Sequence, residues 1–295
     1  VGGLSTRPYR GADDLRRMQH AVSRRFGHGT EHVGDLAWGM RSQSHAELAP
    51  LVTLVESSGG ELAGYLWFAV NGWCEAVTLG DVDGVAAMLV AAVGHTAARL
   101  LECGDHLDRI SVLCNADDAA LSAALTARGY APIAGALEVT RRALADLPQP
   151  SLPPGMRFSG VEDDAMVAER VEAHRAAFAP SELTVQGFHR VRGTWPYRAE
   201  LDRVVVDGSG RVLAACLAWL DPDIGWGLLE PVATRPEQQR RGLGRAVCLD
   251  ALHALRAAGA HSAQVACESG GPGCATYQSI GFRTVHRMAI MRRTL

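Results

Sequence analysis

Three landmarks occur twice in this chain, in the same order and on either side of a proline-rich stretch, and this duplication limits the fold more than any other feature. Residues 75–79 (EAVTL) have a counterpart in residues 230–234 (EPVAT), and a long helical pattern follows each. The segment ending at Arg142 (ALTARGYAPIAGALEVTRR) parallels the one ending at Arg293 (ATYQSIGFRTVHRMAIMRR), which sets Gly129 opposite Gly281. Between the copies, Pro148, Pro150, Pro153 and Pro154 withhold amide donors and disfavour helix at the residues before them. Two domains are therefore expected, residues 1–147 and 156–295, joined by a linker over 148–155.

Each half alternates strand with helix. In the second, residues 203–206 and 211–220 read as neighbouring strands around the Asp207-Gly208-Ser209-Gly210 turn, with residues 228–234 as a third. Leu243, Val247, Leu252 and Leu255 recur at helical spacing, Gly259 supplies a stop, and a strand at 263–267 precedes a helix at 275–279. The first half repeats the pattern, with strands at 62–69, 74–79 and 109–114 and helices at 85–101 and 119–127. The class is α/β (mixed α+β), with a mixed sheet flanked by helices in each half. A content of 47% hydrophobic residues suffices for two cores. Asp83, His95 and Arg99 crowd the apolar run 85–93, which argues against a membrane span. The net charge of -3 offers no general attraction to nucleic acid.

All 29 basic residues are Arg, so Schiff-base chemistry, a lysine base and a phosphate-loop lysine are excluded. The strongest chemical signal is residues 235–245, RPEQQRRGLGR, placed between a strand and an amphipathic helix. Gly242 and Gly244 let the backbone approach a ligand, the helix starts with free amides, and Arg240, Arg241 and Arg245 add positive charge. This combination reads as a phosphate site; the competing reading is a solvated arginine surface around a tight turn. A dinucleotide-binding turn matches poorly, because the third glycine is missing.

The same segment resembles the acetyl-CoA site of the GCN5-related N-acetyltransferase (GNAT) superfamily, Q/R-x-x-G-x-G/A, at Gln239, Gly242 and Gly244. Residues 276–282 (TYQSIGF) resemble that family's Y-x-x-x-G-F close. The likeness spans nearly all of 156–295 and, more weakly, 10–145. It implies two tandem acyl-CoA N-acyltransferase (GNAT) domains, each with a partly splayed sheet, and acetyl-CoA as acyl donor. Val232, Ala233 and Thr234 would address the pantetheine arm, and Gln239, Arg240, Arg241, Gly242, Leu243, Gly244 and Arg245 the diphosphate. Tyr277 matches the family's general acid. Glu230, on the strand face shared with Val232 and Thr234, is the candidate general base, with Glu268 as an alternative.

The expected acceptor is a small-molecule amine attacked directly, with His174, Phe178 and Trp219 as candidate substrate contacts. Mycothiol synthases are similar in architecture, so acetylation of a cysteinyl pseudodisaccharide is a second reading; a non-catalytic acyl-CoA-binding or interaction protein is a third. In the first half Asp81 and Asp83 stand where a diphosphate would be approached, so only the second half is expected to bind acetyl-CoA. The seven cysteines read as buried small hydrophobes rather than a disulfide framework. His20, His28 and His32 lack metal-ligand spacing, and no metal is expected. A cytoplasmic monomer or homodimer completes the expectation.

Overall fold

The computed structural model describes residues 3–25, 31–42, 48–69, 71–80, 82–135 and 137–295; Asp81 and His28 lie outside the described residues. The elements of the first half are β1 (Leu4–Pro8), α1 (Ala12–Arg24), α2 (Val33–Arg41), β2 (Val52–Ser57), β3 (Leu62–Phe68) and β4 (Trp73–Thr78). They continue with α3 (Val85–Glu102), β5 (Arg109–Asn115), α4 (Ala119–Thr126), β6 (Ala131–Pro132) and β7 (Leu137–Ala143). The second half contains β8 (Arg157–Gly160), α5 (Asp164–Ala177), α6 (Val185–Arg192), β9 (Asp202–Val206), β10 (Val212–Asp221) and β11 (Trp226–Thr234). It ends with α7 (Leu243–Ala257), β12 (Ser262–Glu268), α8 (Pro272–Ser279) and β13 (Arg283–Thr294). Every strand and helix read from the periodicity is present, with ends displaced by a few residues, as local patterns allow.

The compact units do not divide at the proline linker. One unit comprises Val1–Glu31, His45–Glu138 and His286–Leu295; the other comprises His32–Ser44 and Val139–Val285. Each thus takes its last strand from the opposite half of the sequence. In the first unit the strand order is β1-β2-β3-β4-β5-β13, and in the second β7-β12-β11-β10-β9-β8. Sequence proximity could not reveal this exchange, because β7 and β13 have nearly interchangeable patterns, both ending in a pair of arginines.

The core of the first unit gathers Leu66, Phe68, Leu89, Val93, Ile110, Val112 and Leu121 around α3. By length and apolarity α3 could cross a bilayer, but Val85, Leu89, Val93 and Ala97 are buried in this core. In the second unit α7 packs Leu243, Val247, Leu252 and Leu255 against β10 through Leu213, Cys216 and Leu220. Truncating one such leucine to alanine costs about 2–5 kcal/mol. The other face of β10 carries Leu217 and Trp219, which pack with Ala37 of α2. A Cβ on Gly34 would lie 2.3 Å from Trp219 Cγ, so only glycine lets α2 approach this closely. His32 caps α2: its Nδ1 accepts from Gly34 N at 3.0 Å, and Asp35 accepts from His32 N at 2.7 Å.

Candidate functional site in the second unit

β11 and β12 run parallel through Trp226↔Ser262, Gly227↔Ala263 and Leu228↔Gln264, after which no pairs connect them. On its other side β11 changes register against β10, from Ala218↔Leu229 to Cys216↔Val232, so one extra residue must be absorbed around Glu230 and Pro231. Pro231 has no N–H to contribute to a ladder there. Trp219 secures the irregular stretch by donating Nε1–H to the Glu230 carbonyl at 2.6 Å.

The chain then enters residues 235–242. Arg235, although part of the arginine-rich signal, serves as an anchor: its Nε donates to Val212 O at 2.6 Å and it is largely buried. Arg240 adopts φ 58 and Gly242 φ 79, two left-handed positions with Arg241 between them. For Arg240 that conformation costs about 1–2 kcal/mol, and turns of this type aim successive amides into one concavity. No side chain caps α7, and Ala246 is the first residue whose amide reaches back, to Gly242 O at 2.9 Å. The two glycines have different jobs. Gly242 supplies the positive φ, whereas a Cβ on Gly244 would stand 3.1 Å from Thr234 Oγ1, where the helix start meets the end of β11.

These elements wall a cleft of about 670 Å³. Val232, Thr234, Gln239, Arg240, Gly242, Leu243, Gly244 and Arg245 line it, together with Tyr277 and Phe178. Gln238, Pro272 and Thr276 join them, residues with no separate signal in the sequence. Arg241 instead reaches Gln238 Oε1, and the Ala233 side chain is buried, which leaves that residue only its backbone to offer a ligand.

Glu230 is half-buried on β11 and is not among the residues lining the cleft; desolvation pushes its carboxyl up to about 7. Tyr277 sits against Phe282, with ring centroids 6.0 Å apart. Burial, then the neighbouring Cys248, Cys216 and Glu230, holds its phenol well above the usual value, so it remains protonated at neutral pH. Glu268 is exposed at the end of β12.

Trp219 does not touch the cleft. It is fully buried between α2 and the sheet, and the expectation that it contacts substrate is corrected to a packing and anchoring role. His174 is buried behind Phe178, with ring centroids 4.6 Å apart and Trp38 on another side at 5.3 Å. The cysteine expectation is corrected in part: Cys267 and Cys274 form a disulfide, tying the end of β12 to the α8 turn that precedes Tyr277. Cys74, Cys114, Cys216 and Cys248 are free and buried, whereas Cys103 is free but exposed, against the expectation. Among the described residues, no group of three or more His, Cys, Asp or Glu is placed to hold a metal ion.

The first unit has a counterpart cleft of about 530 Å³. There β4 and β5 pair through Trp73↔Ser111 to Glu75↔Leu113 and then part, and α3 begins at the left-handed Gly84, φ 89. Its lining is mainly acidic where the second unit's is basic: Asp83 precedes α3, Asp117 and Asp118 precede α4, Glu31 joins them, and Arg25 is the basic residue beside them.

A family model described as FR47-like protein matches residues 208–290. No curated protein matches the sequence. Among solved structures, a GCN5-related N-acetyltransferase from Sphaerobacter thermophilus aligns with a TM-score of 0.68 at 16% identity, over 99% of this chain and 95% of that one. A tandem GNAT protein from the clavulanic acid biosynthesis pathway aligns at 0.64 and 15% identity, over 99% and 98%. The N-myristoyltransferase of Saccharomyces cerevisiae, solved with myristoyl-CoA, aligns at 0.65 and 11% identity, over 100% and 79%.

Proposed function

Starting from a chain with the GNAT fold, we propose that it is an acetyl-CoA-dependent N-acetyltransferase whose donor site lies in the second unit and whose acceptor is a small-molecule amine. The observation that carries this reading is the coincidence, in one cleft, of a parted β11, an uncapped α7 start with left-handed Arg240 and Gly242, and the Tyr277 ring. Free amides at a helix start favour a diphosphate, and Arg240 and Arg245 add charge without a lysine. The parted strand leaves β11 backbone groups available to a pantetheine amide. The acidic lining of the first unit's cleft opposes the same ligand, which supports one donor site rather than two.

In this reading Glu230 takes a proton from the acceptor ammonium, directly or through water, so that the neutral amine attacks the thioester carbonyl. A carboxyl near 7 suits that work better than an ordinary one near 4.5, because it is a stronger base while still half ionised at neutrality. Amides near Val232 and Ala233 stabilise the oxyanion. Tyr277 donates to the departing sulfur. A thiol titrates near 8.5 and this phenol well above 10, so full proton transfer from Tyr277 alone runs uphill. Donation of a hydrogen bond, with the proton passing as the attacking amine loses its own, meets that constraint.

The test is acetyl-CoA-dependent thiol release across an amine library, with Glu230→Gln and Tyr277→Phe alongside. Acceptor-dependent release that falls at least about a hundredfold in one or both variants supports the roles assigned. Acetyl-CoA binding with no acceptor-dependent release would favour a non-catalytic acyl-CoA-binding protein.

A further inference from the structure

α5 carries a buried polar group that the transfer chemistry above does not use. Arg170 and His174 lie one turn apart on this helix, and Phe178, which lines the donor cleft, closes it one turn later. The three residues therefore form a stripe running from the cleft wall into the interior. Arg170 is fully buried, with Phe188 beneath its guanidinium at 5.4 Å. Only its Nε has a partner, Asp202 Oδ1 at 3.3 Å. Both terminal nitrogens are buried without a hydrogen-bond partner, as is Nδ1 of His174. Leaving a buried donor unpaired is costly, and more so when it is charged. Three such atoms on one stripe are hard to reconcile with a purely structural purpose.

The charges point the same way. Arg170 and Arg192 both act on Tyr197 and Asp202, and Asp202 is the single carboxylate among these four. Burial also pushes the Asp202 carboxyl upward, weakening its claim as a full counter-charge, while Tyr197 donates to it at 3.4 Å. His174 is held neutral, its pKa lowered to about 3 by burial and then by Arg170, so its ring can present an N–H without adding charge. Arg192 is partly exposed to water, whereas Arg170 is fully buried and its outer edge meets no acceptor. The free edge of a guanidinium, two parallel N–H groups in a plane, fits a carboxylate in bidentate fashion.

We propose that the terminal nitrogens of Arg170, with Nδ1 of His174, receive the carboxylate of the acceptor, so that this site acts on amines that also carry a carboxylate. The assignment rests on the acetyl-transfer reading for its purpose, but the binding it requires can be measured separately.

The full-length protein is titrated calorimetrically with amino acids and short peptides, and with the corresponding C-terminal amides, with and without saturating coenzyme A. Acetyl-CoA is titrated in parallel. We expect at least one free carboxylate to bind about tenfold or more tightly than its amide. The Arg170→Met/Asp202→Asn double variant, which removes the ion pair without stranding a buried carboxylate, should erase the difference and keep acetyl-CoA affinity. In the wild-type protein, the same carboxylates should shift the ¹⁵N resonance of His174 Nδ1. Equal binding of acid and amide, no binding by any carboxylate at millimolar concentration, a preference that survives in the double variant, or an unmoved His174 resonance overturns the assignment. Failure of acetyl-CoA to bind contradicts the transferase reading instead, and the acid–amide comparison still decides this one.

Discussion

The indole of Trp219 donates to the backbone carbonyl of Glu230 at 2.6 Å, so a fully buried aromatic on β10 fixes the peptide at which β11 departs from its ladder. Replacing it with phenylalanine keeps most of the packing and deletes the donor. We expect Trp219→Phe to lose about 1–3 kcal/mol of stability, measured by denaturant unfolding. Turnover should fall while acetyl-CoA affinity holds, because the amide turn at 239–245 is untouched. Unchanged turnover with lowered stability would leave the hydrogen bond a purely structural role.

Glu230 sets the expected pH dependence. With its carboxyl near 7, kcat/KM should rise with pH and level off above about 7, and Glu230→Gln should remove that limb. The linkage sign is opposite for stability. A carboxyl raised in the fold stabilises the protein most below its unfolded value of about 4.5, and this contribution disappears as pH rises through about 7. Stability and activity should therefore move in opposite directions across this window, the former read by thermal melts.

The two turn glycines should fail in distinguishable ways. Gly242→Ala meets open space but must hold φ 79, a strain of about 1–2 kcal/mol. Relaxation of that turn should weaken acetyl-CoA binding about tenfold. Gly244→Ala keeps an ordinary helical φ but pushes against Thr234 Oγ1. Adding Thr234→Ala should recover part of the affinity lost in Gly244→Ala and none of that lost in Gly242→Ala, as read by calorimetry.

Acid should loosen the attachment of α2. His32 is buried, accepts from Gly34 N through Nδ1, contacts Trp226 O through Nε2 at 3.1 Å, and has its pKa lowered to about 4 by burial. A histidine depressed in the fold stabilises fully above its unfolded value and loses that contribution as pH falls from about 6.5 toward 4, roughly 3 kcal/mol at most. His32→Asn keeps a capping oxygen, so it should flatten part of the acid limb of the melting curve. His174, depressed further to about 3, should account for a remaining part.

Local signals were the legible ones. The strand–turn–helix at 228–255 and the stripe of Leu243, Val247, Leu252 and Leu255 could be read directly, because burial on one face imposes a period. Gly242 and Gly244 marked the turn for the same reason: backbone demands leave a residue-type trace. What depended on distant pairing was hidden. Nothing local to β7 or β13 states which sheet it joins, and nothing in residues 33–41 announces that α2 will cover Trp219. The pairing of Cys267 with Cys274 was missed because a seven-residue spacing is uninformative until the intervening loop is seen to turn back. Arg170 was overlooked because a fully buried arginine has the same appearance in sequence as a solvated one.

Amide exchange at residues 239–245, followed by hydrogen–deuterium exchange or NMR during an acetyl-CoA titration, tests the central claim most directly. We expect protection or shifts at these amides on saturation, and none at the acidic start of α3 near Gly84. A saturating titration that leaves 239–245 unperturbed, or that perturbs the first unit's cleft instead, would contradict the donor site described here.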